Sequence, residues 1–287
     1  MNTILFTVVT LVVIGVVSAV VLYFVAQKFK VYEDVRIDDV VEALPGANCG
    51  GCGFAGCRNF AEAAVNADDL SALFCPVGGN TAMTAVAQIL GKNVEEKESP
   101  MAVIRCGGSF AHRPRTSIYD GASSCTIVHA LYTGDTNCPY GCLGCGDCVT
   151  ACTFGALRMD ATTGLPVVTS TACTGCGACV KACPRSIIEL QCRNKKDRRI
   201  FVSCVNRDKG GVARKYCSVA CIGCGKCVKV CTFEAVKTEN NLAYIDANAC
   251  KMCRKCPPEC PTGSILELNF PARKVTPPPE KEIPLAS

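Results

Sequence analysis

The chain has 287 residues, of which 26 are cysteine and two histidine, with no tryptophan and a formal net charge of +5. That length allows one to three domains, and cysteine usage so far above the globular average means that metal centres replace much of an ordinary apolar core. His112 and His129 lie in unremarkable local sequence and read as surface or packing residues, so histidine catalysis is not indicated. The charge is uneven: residues 193 to 216 hold nine Lys or Arg against Asp197 and Asp208, a local +7, and the rest is close to neutral.

Residues 1–27 carry no charged side chain, and Ile4 to Ala26 is almost continuously apolar, long enough for one membrane span at roughly 20 residues. A signal peptide needs a basic start, a shorter apolar core and a small-residue cleavage site, which this segment lacks. Residues 1–30 therefore read as a transmembrane anchor. Lys28 and Lys30 behind it place the C-terminal side in the cytoplasm by the positive-inside tendency, where thiols stay reduced.

Asp38 to Leu44 looks like a short amphipathic helix halted by Pro45 and Gly46. Cys49, Cys52 and Cys57 then follow as C-x2-C-x4-C, and Cys75 comes after seventeen intervening residues with Pro76 behind it. These four thiolates suffice for one [4Fe-4S] cluster. With helical composition at Arg58–Ala67 and Thr81–Leu90, residues 31–95 read as a small helical domain closed around it. Gly51, Gly53 and Gly56 match G-x-G-x-x-G, but they are interleaved with cysteines and follow Pro45 and Gly46 rather than a strand, which argues against nucleotide binding. Lys92 to Pro100 is polar and reads as a linker.

Next come Cys142, Cys145, Cys148 and Cys152, then Cys173, Cys176, Cys179 and Cys183, each quartet spaced C-x2-C-x2-C-x3-C. This is the bacterial ferredoxin spacing, in which the fourth thiolate reaches over to the other cluster. Cys142, Cys145, Cys148 and Cys183 are thus expected on one [4Fe-4S] cluster, and Cys173, Cys176, Cys179 and Cys152 on its neighbour. Gly144, Gly146, Gly175 and Gly177 supply the tight turns between ligands. Structural zinc takes its ligands as separated pairs, and disulfides belong to an oxidising compartment, so both fit these runs less well.

A shift of 79 residues lays Cys138, Cys142, Cys145, Cys148 and Cys152 onto Cys217, Cys221, Cys224, Cys227 and Cys231, an internal repeat. Cys250, Cys253, Cys256 and Cys260 complete the second copy, which gives five clusters in all. The fold class expected is α+β: an N-terminal transmembrane helix, the helical 4Fe-4S domain, and two tandem 2x[4Fe-4S] ferredoxin units over 96–190 and 191–268. Short strands such as Leu165–Thr169 and Leu242–Ile245 should lie between cluster loops, with brief helices carrying the fourth cysteine. Residues 269–287, with Pro277, Pro278, Pro279 and Pro284, read as a tail. Six cysteines remain, Cys106, Cys125 and Cys138 before the first unit and Cys192, Cys204 and Cys217 before the second. A trio can bind a cluster with one other ligand, the two trios can pool, or all six can be buried as small hydrophobes.

Clusters strung along one chain make electron transfer the natural function, with no catalytic residue and no separate substrate pocket. A zinc-dependent nucleic-acid module would use the basic stretch, but its aromatic interleaving is limited to Phe201 and Tyr216. An apolar N-terminal helix, C-G-G-C-G-F-A-G-C from Cys49 to Cys57 with Cys75, and ferredoxin units together resemble the B-type component of the Rnf complex. That resemblance implies an electron-transfer component of a bacterial inner-membrane, ion-pumping ferredoxin:NAD oxidoreductase. It implies the A, C, D, E and G components of that complex and soluble ferredoxin as partners, and no nucleic acid. The alternative is a membrane-anchored polyferredoxin serving another reductase, such as a corrinoid-linked one, without ion pumping.

Overall fold

The computed structural model describes residues 2–29, 34–132, 134–193 and 196–272. Lys30, Lys195 and the prolines at 277, 278, 279 and 284 lie outside them. Helix α1 (Asn2–Lys28) is 27 residues long, about 40 Å at 1.5 Å per residue, which exceeds the roughly 30 Å hydrocarbon core. Its apolar side chains are exposed along the whole length, with nothing from the rest of the described chain packed over them. Such a surface is stable only against lipid or another apolar partner.

Helices α2 (Arg36–Ala43), α3 (Cys57–Asn66) and α4 (Gly79–Leu90) enclose a small core in which Val40, Phe60, Leu70, Met83 and Val86 are buried. α4 stops at Gly91, whose φ of 64° permits the left-handed turn. The next residue folds back: Lys92 Nζ donates to the Ala64 and Val65 carbonyls at 2.7 and 2.9 Å, a cation on the negative end of α3. The Lys97 N–H bonds Asn80 Oδ1 at 3.0 Å. The stretch expected to be a linker is thus tied to the helical domain on one side and runs straight into a strand on the other.

That strand, β1 (Pro100–Ile104), is followed by α5 (Cys125–Leu131), α6 (Asp147–Thr150), β2 (Leu157–Met159), β3 (Pro166–Val168), α7 (Ala178–Ala182) and β4 (Ile188–Cys192). β1 pairs antiparallel with β4, Pro100 opposite Cys192, and β2 pairs with β3 between the two cysteine quartets. The same plan recurs in β5 (Arg199–Val202), α8 (Gly210–Tyr216), α9 (Lys226–Lys229), β6 (Val236–Glu239), β7 (Leu242–Ile245) and β8 (Ile265–Leu268). Here β5 pairs with β8 and β6 with β7. In both assemblies the ends of the segment meet as an outer ribbon and the inner ribbon lies between cysteine loops. The cores consist largely of the cysteines themselves with Leu157, Ile187 and Ile188 in the first and Ile200, Val202, Val236 and Ile245 in the second. Asn269 and Phe270 still belong to the second assembly: Asn269 Nδ2 bonds the Asp197 carbonyl at 2.8 Å, and Arg198 and Arg254 lie over the Phe270 ring.

Two local expectations differ from the structure. The short helices α6, α7 and α9 carry the third cysteine of each run, Cys148, Cys179 and Cys227, while the fourth stands beyond the helix end. One helical turn spans about four residues, so a fourth ligand that must reach across to the other loop has to leave the helix first. The repeat also aligns differently in space. Sequence spacing pairs Cys125 with Cys204, yet Cys106 and Cys204 each stand two residues past the end of the equivalent outer strand, at Ile104 and Val202. The first assembly simply has a longer excursion, holding α5, before Cys138.

Candidate iron-sulfur centres

Each ferredoxin-type run lines a cavity to which the other run of its pair contributes its fourth cysteine. Cys173, Cys176 and Cys179 line one cavity of about 310 Å³ with Cys152. Cys142 and Cys148 line another of about 370 Å³ with Cys183. In the second assembly Cys221, Cys224 and Cys227 meet Cys260 around 330 Å³, and Cys250, Cys253 and Cys256 meet Cys231 around 320 Å³. Cys145, expected in the same quartet as Cys142, Cys148 and Cys183, does not line their cavity; its thiol is hydrogen-bonded to that of Cys125, which does line it. In the helical domain Cys52, Cys57 and Cys75 pack together on the core. There the Gly78 N–H points at Cys75 Sγ, 3.4 Å away, and Asn48 Oδ1 holds the Cys57 N–H at 2.8 Å. Cys49 opens the same loop. Cys192 ends β4 and is exposed, away from Cys204 and Cys217.

The donor sets fit cubane clusters better than single ions. All 26 cysteines are free thiols. Four sulfurs on one zinc would stand about 3.8 Å apart, given tetrahedral bonds of about 2.3 Å, and among the described residues no group of three or more Cys, His, Asp or Glu closes on a single-ion site. Backbone N–H groups aim at the sulfurs, as from Ala156 to Cys152 at 3.3 Å and from Ala243 to Cys221 at 3.4 Å, the kind of contact that stabilises cluster thiolates.

Burial, followed by neighbouring thiolates, pushes the thiols of Cys142, Cys179 and Cys256 up to about 12, and burial alone dominates at Cys204, also about 12. Iron reverses this, because a coordinated thiol is deprotonated outright. In the cluster-free chain these folded-state values lie above the unfolded thiol value near 9.0, so their contribution to stability is present below pH 9 and is lost as pH rises toward 12. Chelator-stripped protein is therefore expected to lose thermal stability steadily across that window. Unchanged melting from pH 8.5 to 11 would show that the thiols are not buried as described.

The four loops differ in cover. Gly51 of the helical domain lies so close to the Cys176 loop that a Cβ there would stand 2.7 Å from the Cys176 carbonyl oxygen, so the N-terminal loop sits directly on the first assembly's second cavity. Cys224 and Cys253 are exposed instead. Their loops are also basic: Lys226 and Lys229 take the places of Asp147 and Thr150, and Lys251, Arg254 and Lys255 those of Thr174, Gly177 and Ala178. Arg254 even adopts φ 63° where the other loops have glycine, a strain tolerated mainly at functional positions. These five residues are readable in the sequence by laying the four loops over one another, whereas a charge count singles out the +7 segment. Part of that segment faces inward, although Lys196, Arg207, Lys209, Arg214 and Lys215 are exposed. Arg199 is buried against Asp197, and Arg193 donates to the Ser170 and Cys173 carbonyls at 2.8 and 2.9 Å.

Residues 44–76 match the family described as "Putative Fe-S cluster", and 141–187 and 172–235 match "4Fe-4S dicluster domain". Over 267 residues the chain is 41% identical to the B-type component of the proton-translocating ferredoxin:NAD(+) oxidoreductase complex of Clostridium ljungdahlii, covering 92% of this chain and 93% of that one. It is equally 41% identical over 271 residues to the Na(+)-translocating counterpart of Acetobacterium woodii, covering 92% and 78%. With the B-type component of the ion-translocating oxidoreductase complex of Methanosarcina acetivorans it shares 38% over 252 residues, 88% and 94% of the two chains. Likeness over nearly the full length, with an apolar N-terminal helix and cysteine quartets in place, shows that the chain belongs to the family of B-type components of Rnf-type ion-translocating ferredoxin:NAD oxidoreductase complexes.

Proposed function

We propose that this chain is the membrane-anchored electron carrier of such a complex, taking electrons from reduced soluble ferredoxin and delivering them to the complex's other subunits, which the family resemblance gives as A, C, D, E and G. The observation that carries this is the full-length likeness to the B-type components, together with cysteine cavities that run from an exposed basic end to a domain tethered behind α1. The twenty cysteines of the five motif quartets are assigned as ligands of five [4Fe-4S] clusters, four of them in two tandem ferredoxin units. Clusters of this kind supply one-electron transfer with tunable potential. The protein's part is to hold the thiolates, shield the first assembly's loops and leave the second assembly's loops open. α1 is assigned to the inner membrane with the rest of the chain in the cytoplasm. Two relatives of equal identity are named for different ions, so ion choice belongs to other subunits. Membranes deleted for this chain are expected to lose ferredoxin-driven NAD reduction and regain it with the full chain. Full activity in the deletion would overturn the assignment.

The exposed cations around Cys253 and Cys224 fit an acidic redox partner, since a one-sign patch raises encounter rates and is screened by salt. Reversing Lys251 and Lys255 to Glu is expected to slow reduction by ferredoxin roughly tenfold at low ionic strength and to flatten its salt dependence, with iron content unchanged. Stopped-flow traces identical to the parent chain would remove this face as the docking surface.

A further inference from the structure

One of the four ferredoxin-type cavities differs from the rest. Cys176, Cys224 and Cys253, the middle cysteines of three runs, each line their own run's cavity. Cys145, the middle cysteine of the remaining run, does not, and the sulfur that joins Cys142, Cys148 and Cys183 there is that of Cys125. The Cys145 thiol is hydrogen-bonded to the Cys125 thiol. We infer that Cys125 and Cys145 are interchangeable thiolates for one iron of the [4Fe-4S] cluster at this site, so that five cysteines serve four coordination positions. This rests on the cluster assignment of the motif quartets and adds to one of them a residue that lies outside the ferredoxin spacing.

Three observations support the shared position. First, Cys125 is fastened to the run. It opens α5, and Asp147, the residue before Cys148, accepts hydrogen bonds from Ser124 Oγ at 2.9 Å and from the Thr126 N–H at 3.2 Å, with the Cys125 N–H also on that carboxylate. Bonds to an ionised carboxylate are stronger than neutral ones, so Asp147 ties the start of α5 to the turn that carries Cys145 and Cys148. Val128, about one turn further along α5, is buried. Second, the second assembly lacks this arrangement. Lys226 takes the place of Asp147, and α8, which likewise precedes the first run of its assembly, opens with Gly210, where a Cβ would stand 2.5 Å from the Ile222 carbonyl oxygen. That leaves no room for a side chain, and Cys224 lines its own cavity there. Displacement of the middle cysteine thus coincides with the presence of a fifth sulfur. Third, both thiols are half-buried and bonded to each other, so exchange needs no outside reactant. One iron–sulfur bond breaks as the other forms, the incoming thiol passes its proton across the hydrogen bond to the leaving thiolate, and no electron moves. Only the sulfur on iron has to be deprotonated. A site built in this way keeps its cluster when either thiolate is lost.

The test compares iron and sulfide counts of the anaerobically purified full chain with those of Cys125→Ala, Cys145→Ala, the double variant, and Cys176→Ala, which removes the middle ligand of the other run in the same assembly. Each of the first two single variants is expected to keep the parent's iron, whereas the double variant and Cys176→Ala each lose about four iron atoms. Loss of about four from Cys125→Ala or from Cys145→Ala would overturn the exchange, and so would full iron in the double variant. If a variant fails to fold, brief treatment of the iron-loaded parent with N-ethylmaleimide followed by peptide mass spectrometry decides. One label divided between Cys125 and Cys145, with iron unchanged, is expected; a label on both or on neither contradicts the shared position. A parent without iron would instead defeat the cluster assignment itself.

Discussion

Replacing Cys75 with Ala is expected to abolish ferredoxin-driven NAD reduction while leaving most of the chain's iron in place. Cys75 is buried on the core of the helical domain beside Cys52 and Cys57, and of its quartet it alone comes from outside the Cys49–Cys57 loop. Its loss removes the thiolate that ties that loop to the turn before α4. The variant should contain about four iron atoms fewer than the parent, and a side-chain truncation this small, with α2, α3 and α4 intact, should leave the ferredoxin-type assemblies folded. The helical domain comes after α1 in the chain and its Gly51 packs on the Cys176 loop, so the proposed electron path runs through it. Reduction of the remaining clusters by ferredoxin should proceed at the parent rate while turnover falls at least about a hundredfold, the loss of roughly 2.7 kcal/mol of transition-state stabilisation. Normal turnover with this centre shown absent by spectroscopy would place the contact with the membrane subunits elsewhere.

Asp197→Ala should be the most damaging single change outside the cysteines. Arg199 on β5 is 2% exposed, and its charge is met by Asp197, which also lies 3.8 Å from Arg193 Nε and accepts from Asn269 Nδ2 at 3.2 Å. Removing the carboxylate strands a buried cation beside β8, which costs about 3–5 kcal/mol. The β5–β8 ribbon holds the ends of the second assembly together, so the variant is expected to melt in two steps and to lose the iron of that half first. A single transition at the parent temperature would show that the pair is solvated. The same geometry explains why Arg199 is unsuited to steering a partner, although it lies within the most basic stretch of the sequence.

Much of this molecule was legible because cluster ligation leaves a spacing code. The crossed arrangement of Cys152 and Cys183, and of Cys231 and Cys260, followed from counting residues, since three ligands within seven residues leave a fourth that must turn away. Helices α2, α3 and α4 fell within two residues of their expected positions because Pro45, Gly46 and Gly91 punctuate them. The cysteine-lined cavity between the two assemblies was not legible in the same way. Its sulfurs come from both repeats at separations set by the outer strands and by an excursion present in only one copy, and the equal thirteen-residue spacing of Cys125–Cys138 and Cys204–Cys217 points to the wrong equivalence. The burial of Arg199 and the inward hydrogen bonds of Arg193 were hidden because charge counts carry no direction. Cover of the Cys145 and Cys176 loops depends on contacts with Cys125 and Gly51 that are distant in sequence.

The proposed function gives electrons a single point of entry, at the exposed basic loops around Cys224 and Cys253. The most direct measurement follows, by stopped-flow absorbance with freeze-quench EPR, how reduced ferredoxin reduces the full chain and its Lys251→Glu/Lys255→Glu variant. A single intake at the Cys253 end predicts uptake of about one electron per cluster in both proteins, with every cluster signal slowed by the same factor in the variant. Signals that separate, one group slowed and another appearing at the parent rate, would mean that ferredoxin reaches the chain at a second point and would contradict the single entry.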